Sequence, residues 1–585
     1  MPAAYARRAT ESTPKSGYLP SMLLLLAALT SLASATTVSV PMADGVGLAT
    51  DYFAPPGAGP WPTILRRTPY GRYFDPTVVQ TLNDLGYAFV SQDVRGRGDS
   101  EGLYRPFFDD ALDGAETVAW VASQPWSDGQ MAMYGGSAES VVQFLAAGEG
   151  PAGLVALQPF QGTPDLRRSL YPGGAWREDL TTDWLASLDE SQAEAALREN
   201  EVDSAFWDPV RLDEAELAQT EAAMLLVAGF FDIFEGEMVS LPEKLQASGS
   251  EAPVWLILGP WVHGGAAVAE QGEVRFSDAV YADFNLDLFT LYEWSLRGGP
   301  APDWAPVRYA VSTFADSEAT AHSVWVESDT WPPPSTLERL LLGEGGLGTA
   351  SDGEPVELPV DPDDPVPSVG GGNLNSAAGV YDQAGVDARD DVFVASTAPR
   401  EESVTIAGDL SATIWAASAT TDADVIVRVE VIPPSGAAWL VADGIRRGRF
   451  VQGEDAIRPL SPGVPAAFEV DLGPMAVTLP PGHALRVAIS GTLAPRYEPN
   501  PNLATPIADR PDPVPTTLTI YRDEAHPSSI LVPVTAGTLG GVELDEEEPP
   551  VKDEGGCGCA AGAGSGGWGL LVLLALSRRR AGVGR

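Results

Sequence analysis

Three residues of this 585-residue chain have the types that acyl transfer requires: Ser137, Asp232 and His263. A serine hydroxyl becomes a nucleophile when a neighbouring base takes its proton. A carboxylate keeps that base oriented and stabilises its charged form. The other histidines stand at 322, 483 and 526, so His263 has no competitor as base in the first half of the chain. Ser137 lies in Gly135-Gly136-Ser137-Ala138-Glu139-Ser140, after an apolar run at 131–134 and before Val141, Val142, Phe144 and Leu145 at helical spacing. Strand, sharp turn and helix with serine at the apex describe a nucleophile elbow, whose tightness admits only small residues nearby. Gly135 and Ser140 meet that demand, although Glu139 stands where the simple Gly-x-Ser-x-Gly pattern has glycine. Taken alone, the motif fits an ordinary strand-to-helix turn equally well. Asp232 and His263 weigh against that. Each follows an apolar run, at 224–227 and 254–258, and so stands just past a strand end on the sheet edge where Ser137 emerges. The order Ser, Asp, His is that of the α/β-hydrolases.

The elements that must position these residues are legible around them. Residues 37–54 alternate about Asp44-Gly45, a hairpin signal. Further strands are expected at 62–65, 87–90 and 154–157, and a helix over 110–123 with Leu112, Val118 and Val121 on its apolar stripe. Strands alternating with helices imply a mostly parallel sheet, which binds ligands at the carboxyl ends of its strands. From about 164 to 220 the strand pattern stops, and an Ala-, Glu-, Leu- and Trp-rich stretch reads as a helical cap over those ends. Trp176, Trp184, Phe206 and Trp207 can line a pocket or form the core of the cap. Trp176, with Phe231 and Phe234 beside Asp232, is the candidate substrate pocket. Beyond 306, short β-rich runs between Pro, Gly and Asp clusters predict a β-sandwich or jelly roll, with 351–390 as a long surface connection. The expected class is α/β: an α/β-hydrolase domain at 36–304 with a helical cap insertion, then an all-β jelly-roll domain at 305–537 and an acidic tether at 538–556.

A net charge of −46 opposes nucleic acid and anionic membrane surfaces as partners. The only cysteines are Cys557 and Cys559, which excludes thiol and iron–sulfur chemistry from the body of the chain. The histidines lack zinc spacing, and residues 361–365 lack the glycine and closing glutamate of a calcium loop, so no metal or cofactor is expected. Arg7, Arg8 and Lys15, an apolar core at 22–32 and Ala33-Ser34-Ala35 predict a secretory signal over 1–35. At the other end, Cys557-Gly558-Cys559 precedes an apolar run at 568–576 and three arginines. This implies export, with 557–585 sorting or anchoring the chain at a membrane or cell surface.

The stretches MADGVGLATDYFAP, RRTPYG, SQDVRGRGDSEG, DALDGAETVAWVASQPWSDG, GFFDIF and LGPWVHG resemble the CocE/NonD hydrolases, the group that includes bacterial cocaine esterase and X-Pro dipeptidyl-peptidases. DPDDPVPSVGGG, DADVIVRVEVIPPSG and SGTLAPRYEPNPN are similar to the jelly roll of that group. The resemblance implies a Ser137–His263–Asp232 triad, with an oxyanion hole formed by the Tyr70 hydroxyl and the Ala138 amide. It also implies a small acyl ester, amide or X-Pro peptide as substrate. Ala138 departs from the tyrosine usual after the serine in this group, which leaves the substrate open. The tail resembles the MYXO-CTERM sorting signal of bacterial surface proteins. The rival expectation is a surface protein that keeps the scaffold but only binds carbohydrate or protein through its jelly roll.

Overall fold

The computed structural model describes residues 35–281, 284–316 and 318–544. The expected export signal and the segment bearing Cys557 and Cys559 lie outside these residues. Among the described residues, no helix is long and apolar enough to cross a membrane. Strands β1 (Thr36–Pro41) and β2 (Gly47–Phe53) pair antiparallel across the Asp44-Gly45 turn, where Gly45 takes φ 90°. The apolar runs that follow become β3 (Trp61–Thr68), β4 (Ala88–Asp93), β5 (Ser127–Gly136), β6 (Leu154–Phe160), β7 (Ala223–Phe231) and β8 (Val254–Val262). Beyond the antiparallel β1, β2 and β4, the neighbours β4–β3–β5–β6–β7–β8 are all parallel. Their carboxyl ends therefore share one edge, and Ser137, Asp232 and His263 follow directly from β5, β7 and β8.

Helices α1 (Pro76–Asp84), α2 (Asp110–Ala122) and α3 (Ala138–Gly148) connect these strands. The buried face of α2 is Asp110, Asp113, Gly114, Thr117, Val118 and Val121, so Leu112 lies on the opposite side and is 62% exposed rather than on the apolar stripe. Polar groups compete successfully for that face because Arg67 pairs with Asp110 and Arg95 with Asp113. Close approach of α2 to α3 depends on Gly114, where a Cβ would meet the Ala146 Cβ at 2.5 Å. Between β6 and β7 lie α4 (Leu166–Leu170), α5 (Glu178–Ser187), α6 (Ser191–Glu199) and α7 (Glu214–Gln219), which form the cap. Helix α8 (Glu235–Ser248) then joins β7 to β8, and α9 (Phe284–Arg297) packs on the far face of the sheet.

The strand Val307–Phe314 adds in parallel to β8 and carries the sheet into the second half of the chain. There, two antiparallel sheets share one core. Val404–Ser418 pairs with Ala466–Leu479 and Ser529–Ala536 in the first. Asp424–Ile432 lies between Trp439–Arg447 and Ala484–Ser490 in the second. Val425, Val427 and Val429 from one sheet meet Ile406, Leu410 and Ile414 from the other in that core. The fold is an α/β-hydrolase followed by a β-rich domain. The stretch 351–390 is not a surface connection. Gly353–Val360 is a strand paired with Thr516–Arg522, and the rest buries Val366, Asn373 and Val380. Its turn residues serve to bend the chain back onto the cap.

Candidate active site

Ser137 stands between β5 and α3 with φ 60° and ψ −126°, a backbone conformation that costs an L-residue about 1–3 kcal/mol. The turn is as crowded as an elbow demands. A Cβ on Gly135 would lie 2.4 Å from the Glu139 Cβ, and one on Gly162 would lie 2.2 Å from the Ser140 Cβ. The Ser140 hydroxyl pins the turn to the neighbouring strand, accepting from the Phe160 N–H at 2.8 Å and donating to the Gly135 carbonyl at 2.9 Å. Ala138 opens α3, so its amide has no carbonyl partner within the helix and is free to face an anion.

His263 lies just past β8, and its Nδ1 is 2.8 Å from the Asp232 Oδ2. Asp232 is 1% exposed, and its Oδ1 accepts from the Phe234 N–H at 2.8 Å. The carboxylate assigns the proton to Nδ1 and leaves Nε2 as an acceptor. The Phe234 ring meets the imidazole edge-on, with centroids 5.7 Å apart. Tyr70 follows β3 on the sheet edge that carries Ser137, and its hydroxyl is a neighbour of the Ser137 side chain. Half of the residue is open to solvent, yet partial burial raises the phenol above its ordinary range, against the hydrogen bond that Trp184 donates to it. Tyr70 therefore stays protonated and can donate.

Of Trp176, Phe231 and Phe234, the structure brings only Phe234 to this site. Trp176 is fully buried inside the cap. Its indole donates to the Thr182 hydroxyl at 3.2 Å, and the Arg198 guanidinium covers its ring at 4.4 Å. Phe231 is buried where β7 meets the β-rich domain, facing Phe276, Phe314 and Met475. Both rings were accounted for by packing that no local spacing reveals. Trp184, one of the cap aromatics that the sequence offered as pocket lining, does reach the site through Tyr70, and it stacks there on Phe107, which the sequence did not single out. Glu139, a carboxylate that could have held a substrate amine, is instead paired with Arg66.

Gln161 was not legible as a functional residue. It follows β6 on the same sheet edge, is 1% exposed and takes φ 51°. Its side chain accepts from the Gly264 N–H at 2.5 Å and donates to the Val262 carbonyl at 2.9 Å. One amide thus grips the backbone on both sides of His263. The only available signal was a polar residue immediately after an apolar strand. Behind Asp232, Glu235 lines a cavity of about 500 Å³ between the cap and the β-rich domain. Burial pushes its carboxyl up to about 7 despite the opposing charge of Arg177, and its Oε2 has no hydrogen-bond partner. Among the described residues, no cluster of His, Cys, Asp and Glu could hold a metal ion.

This arrangement can perform acyl transfer, and similarity to known proteins agrees. Residues 44–265 match the X-Pro dipeptidyl-peptidase (S15 family), and residues 302–531 match the X-Pro dipeptidyl-peptidase C-terminal non-catalytic domain. The chain is a serine hydrolase. The two matches, in this order, support a place for it in the CocE/NonD group. It is 29% identical over 579 residues to cocaine esterase of Rhodococcus sp. (strain MB1 Bresler), covering 86% of this chain and 98% of the relative. Its fold is that of an aminopeptidase from a marine sediment Thaumarchaeota archaeon, with 24% identity and a TM-score of 0.74 over 89% of this chain and 99% of the other. An α-amino acid ester hydrolase, also 24% identical, matches with a TM-score of 0.73 over 88% of this chain and 98% of its own.

Proposed function

We propose that the chain hydrolyses esters with an uncharged, apolar acyl group through a covalent acyl-enzyme. The observation that carries this reading is the pairing of His263 with the buried Asp232 on the sheet edge from which the strained Ser137 turn emerges. In the first step the Ser137 Oγ attacks the ester carbonyl while His263 Nε2 takes its proton. Asp232 holds the imidazole in the required tautomer and stabilises the imidazolium. The Tyr70 hydroxyl and the Ala138 amide donate to the oxyanion as charge develops on it. Collapse of the tetrahedral intermediate breaks the bond to the alcohol, which receives the proton from His263. Water, deprotonated by the same histidine, then attacks the acyl-enzyme, and the acid leaves.

Two observations support an apolar ester over an X-Pro peptide. The rings nearest the reacting groups are apolar: Phe234 lies against His263, and Trp184, stacked on Phe107, reaches Tyr70. Glu139, two residues from the serine, is already paired with Arg66, so it is not free to receive a peptide's amino terminus. The test is labelling with a fluorophosphonate probe, followed by comparison of aryl acyl esters with Gly-Pro and Ala-Pro arylamides. Labelling with ester turnover and little arylamide cleavage is expected. Preferential cleavage of the arylamides would overturn the substrate assignment, and absence of labelling would overturn the chemistry. The Ala33-Ser34-Ala35 site and the Cys557 tail further support export and attachment at the cell surface. Mass spectrometry of the surface-associated protein should show an N-terminus at Thr36 and a processed C-terminus.

A further inference from the structure

The cap helix α5 ends beside the oxyanion hole. Its Trp184 donates from the indole Nε1 to the Tyr70 hydroxyl at 3.0 Å, and its ring stacks on Phe107 with centroids 5.6 Å apart and planes 5° from parallel. A second tie joins the same two segments. Arg97 donates to the Pro69 carbonyl at 3.2 Å, immediately before Tyr70, and to the Leu188 carbonyl at 2.9 Å, immediately after α5. Arg97 also pairs with Glu190.

An indole N–H can only donate, whereas a phenol has one proton and lone pairs to accept with. The Trp184 bond therefore occupies an acceptor site of Tyr70 and leaves its single proton uncommitted. Tyr70 is half exposed, so without Trp184 its hydroxyl would be free to turn toward water. With Trp184 in place, the phenol keeps its one proton for the oxyanion that forms at the neighbouring Ser137. We propose that Trp184 is a positioning residue for the oxyanion hole, aiming the Tyr70 hydroxyl at the reacting oxygen, so that seating of the cap sets the rate of the chemical step. This rests on the acyl-transfer reading above.

A double-mutant cycle tests it with an aryl ester as substrate. Trp184→Phe keeps an aromatic ring beside Phe107 and removes the donor. It should lower kcat about three- to tenfold with KM within twofold, the loss of one ordinary hydrogen bond expressed in the transition state. Tyr70→Phe should lower kcat about 10²–10³-fold. In the Tyr70→Phe background, Trp184→Phe should change kcat by less than about 1.5-fold, because the hydroxyl it positions is gone. Equal effects in both backgrounds, or an effect confined to KM, would show that Trp184 only packs against substrate. Tyr70→Phe within threefold of wild type would also sink the proposal, but by removing Tyr70 from the oxyanion hole. Should Trp184→Phe fold poorly, affinity for an arylboronic acid, whose serine adduct is tetrahedral, gives the same cycle from binding; an unchanged affinity would refute it.

Discussion

Replacing Gln161 offers the sharpest check on how the base is held. Its side-chain amide pairs with Gly264 N–H and Val262 C=O, so Gln161→Leu keeps the bulk of the residue and removes both bonds. Gly264 is exposed and Val262 half-buried, so water can reach the freed groups, and the full penalty for an unpaired buried group does not apply. The net value of each bond is then about 0.5–1.5 kcal/mol, or roughly 1–3 kcal/mol for the two. If that energy keeps His263 in register with Asp232, kcat should fall about 5- to 150-fold, with KM within twofold because Gln161 is not among the residues walling the site. Gln161→Glu keeps the acceptor for Gly264, loses the donor to Val262 and introduces a negative charge that favours the imidazolium. The acid limb of kcat/KM against pH, which reports the free enzyme's base, should therefore move to higher pH. The assay is steady-state hydrolysis of an aryl ester from pH 5 to 9, with thermal melts alongside. A Gln161→Leu enzyme within threefold of wild-type kcat, but with a lowered melting temperature, would refute the reasoning and leave Gln161 a structural residue only.

Two further changes probe the elbow and the buried acid behind it. Ser137→Gly should abolish probe labelling and turnover while making the protein about 0.5–2 kcal/mol more stable. Relief of the strained φ and ψ outweighs the added chain entropy of glycine, and a lowered denaturation midpoint would contradict this. Glu235 binds its proton more tightly when folded, with a pKa of about 7 against 4.5, so its contribution to stability is lost as pH rises from about 4.5 to 7. The loss is at most about 3 kcal/mol. Glu235→Gln stays neutral and should match wild type at pH 4 but exceed it at pH 8 in chemical denaturation. Parallel pH profiles for the two proteins would show that Glu235 is not held neutral by the fold.

The parts of the site that could be read from the chain alone are those fixed by strand ends. Ser137, Asp232 and His263 each follow an apolar run, and parallel pairing forces all three to one edge, so local pattern and topology agree. Trp176 and Trp184 carry the same side chain eight residues apart, yet one is buried under Arg198 and the other reaches Tyr70. That difference depends on how α5 docks, which no spacing encodes. Leu112 fails for a related reason. Asp110 and Asp113 turn inward to the buried Arg67 and the half-buried Arg95, so the helix buries a face that hydrophobicity does not mark. The Pro-, Gly- and Asp-rich stretch near 370 resembles an exposed loop in composition, but its turns fold it inward. Gln161 acts through its side-chain amide on the backbone of a distant segment, and composition carries no trace of that.

The contacts of that inward stretch give the β-rich domain a part in building the site. Arg177 is buried and donates to two carbonyls, those of Ile233 and Gly372, each at 2.7 Å. Ile233 follows the carboxylate that orients the base, and a Cβ on Gly372 would lie 2.9 Å from the Asp232 carbonyl. Two residues along, Asp179 at the start of α5 accepts from the amides of Leu374 and Asn375 and from the Ser376 hydroxyl. One strap from the β-rich domain thus bears on the Asp232 loop and on the helix that carries Trp184. Both carbonyls offset the cost of burying the Arg177 charge. Displacing the strap would strand it and free α5 together. The β-rich domain therefore helps to hold both the orienting carboxylate and, through α5, the oxyanion donor.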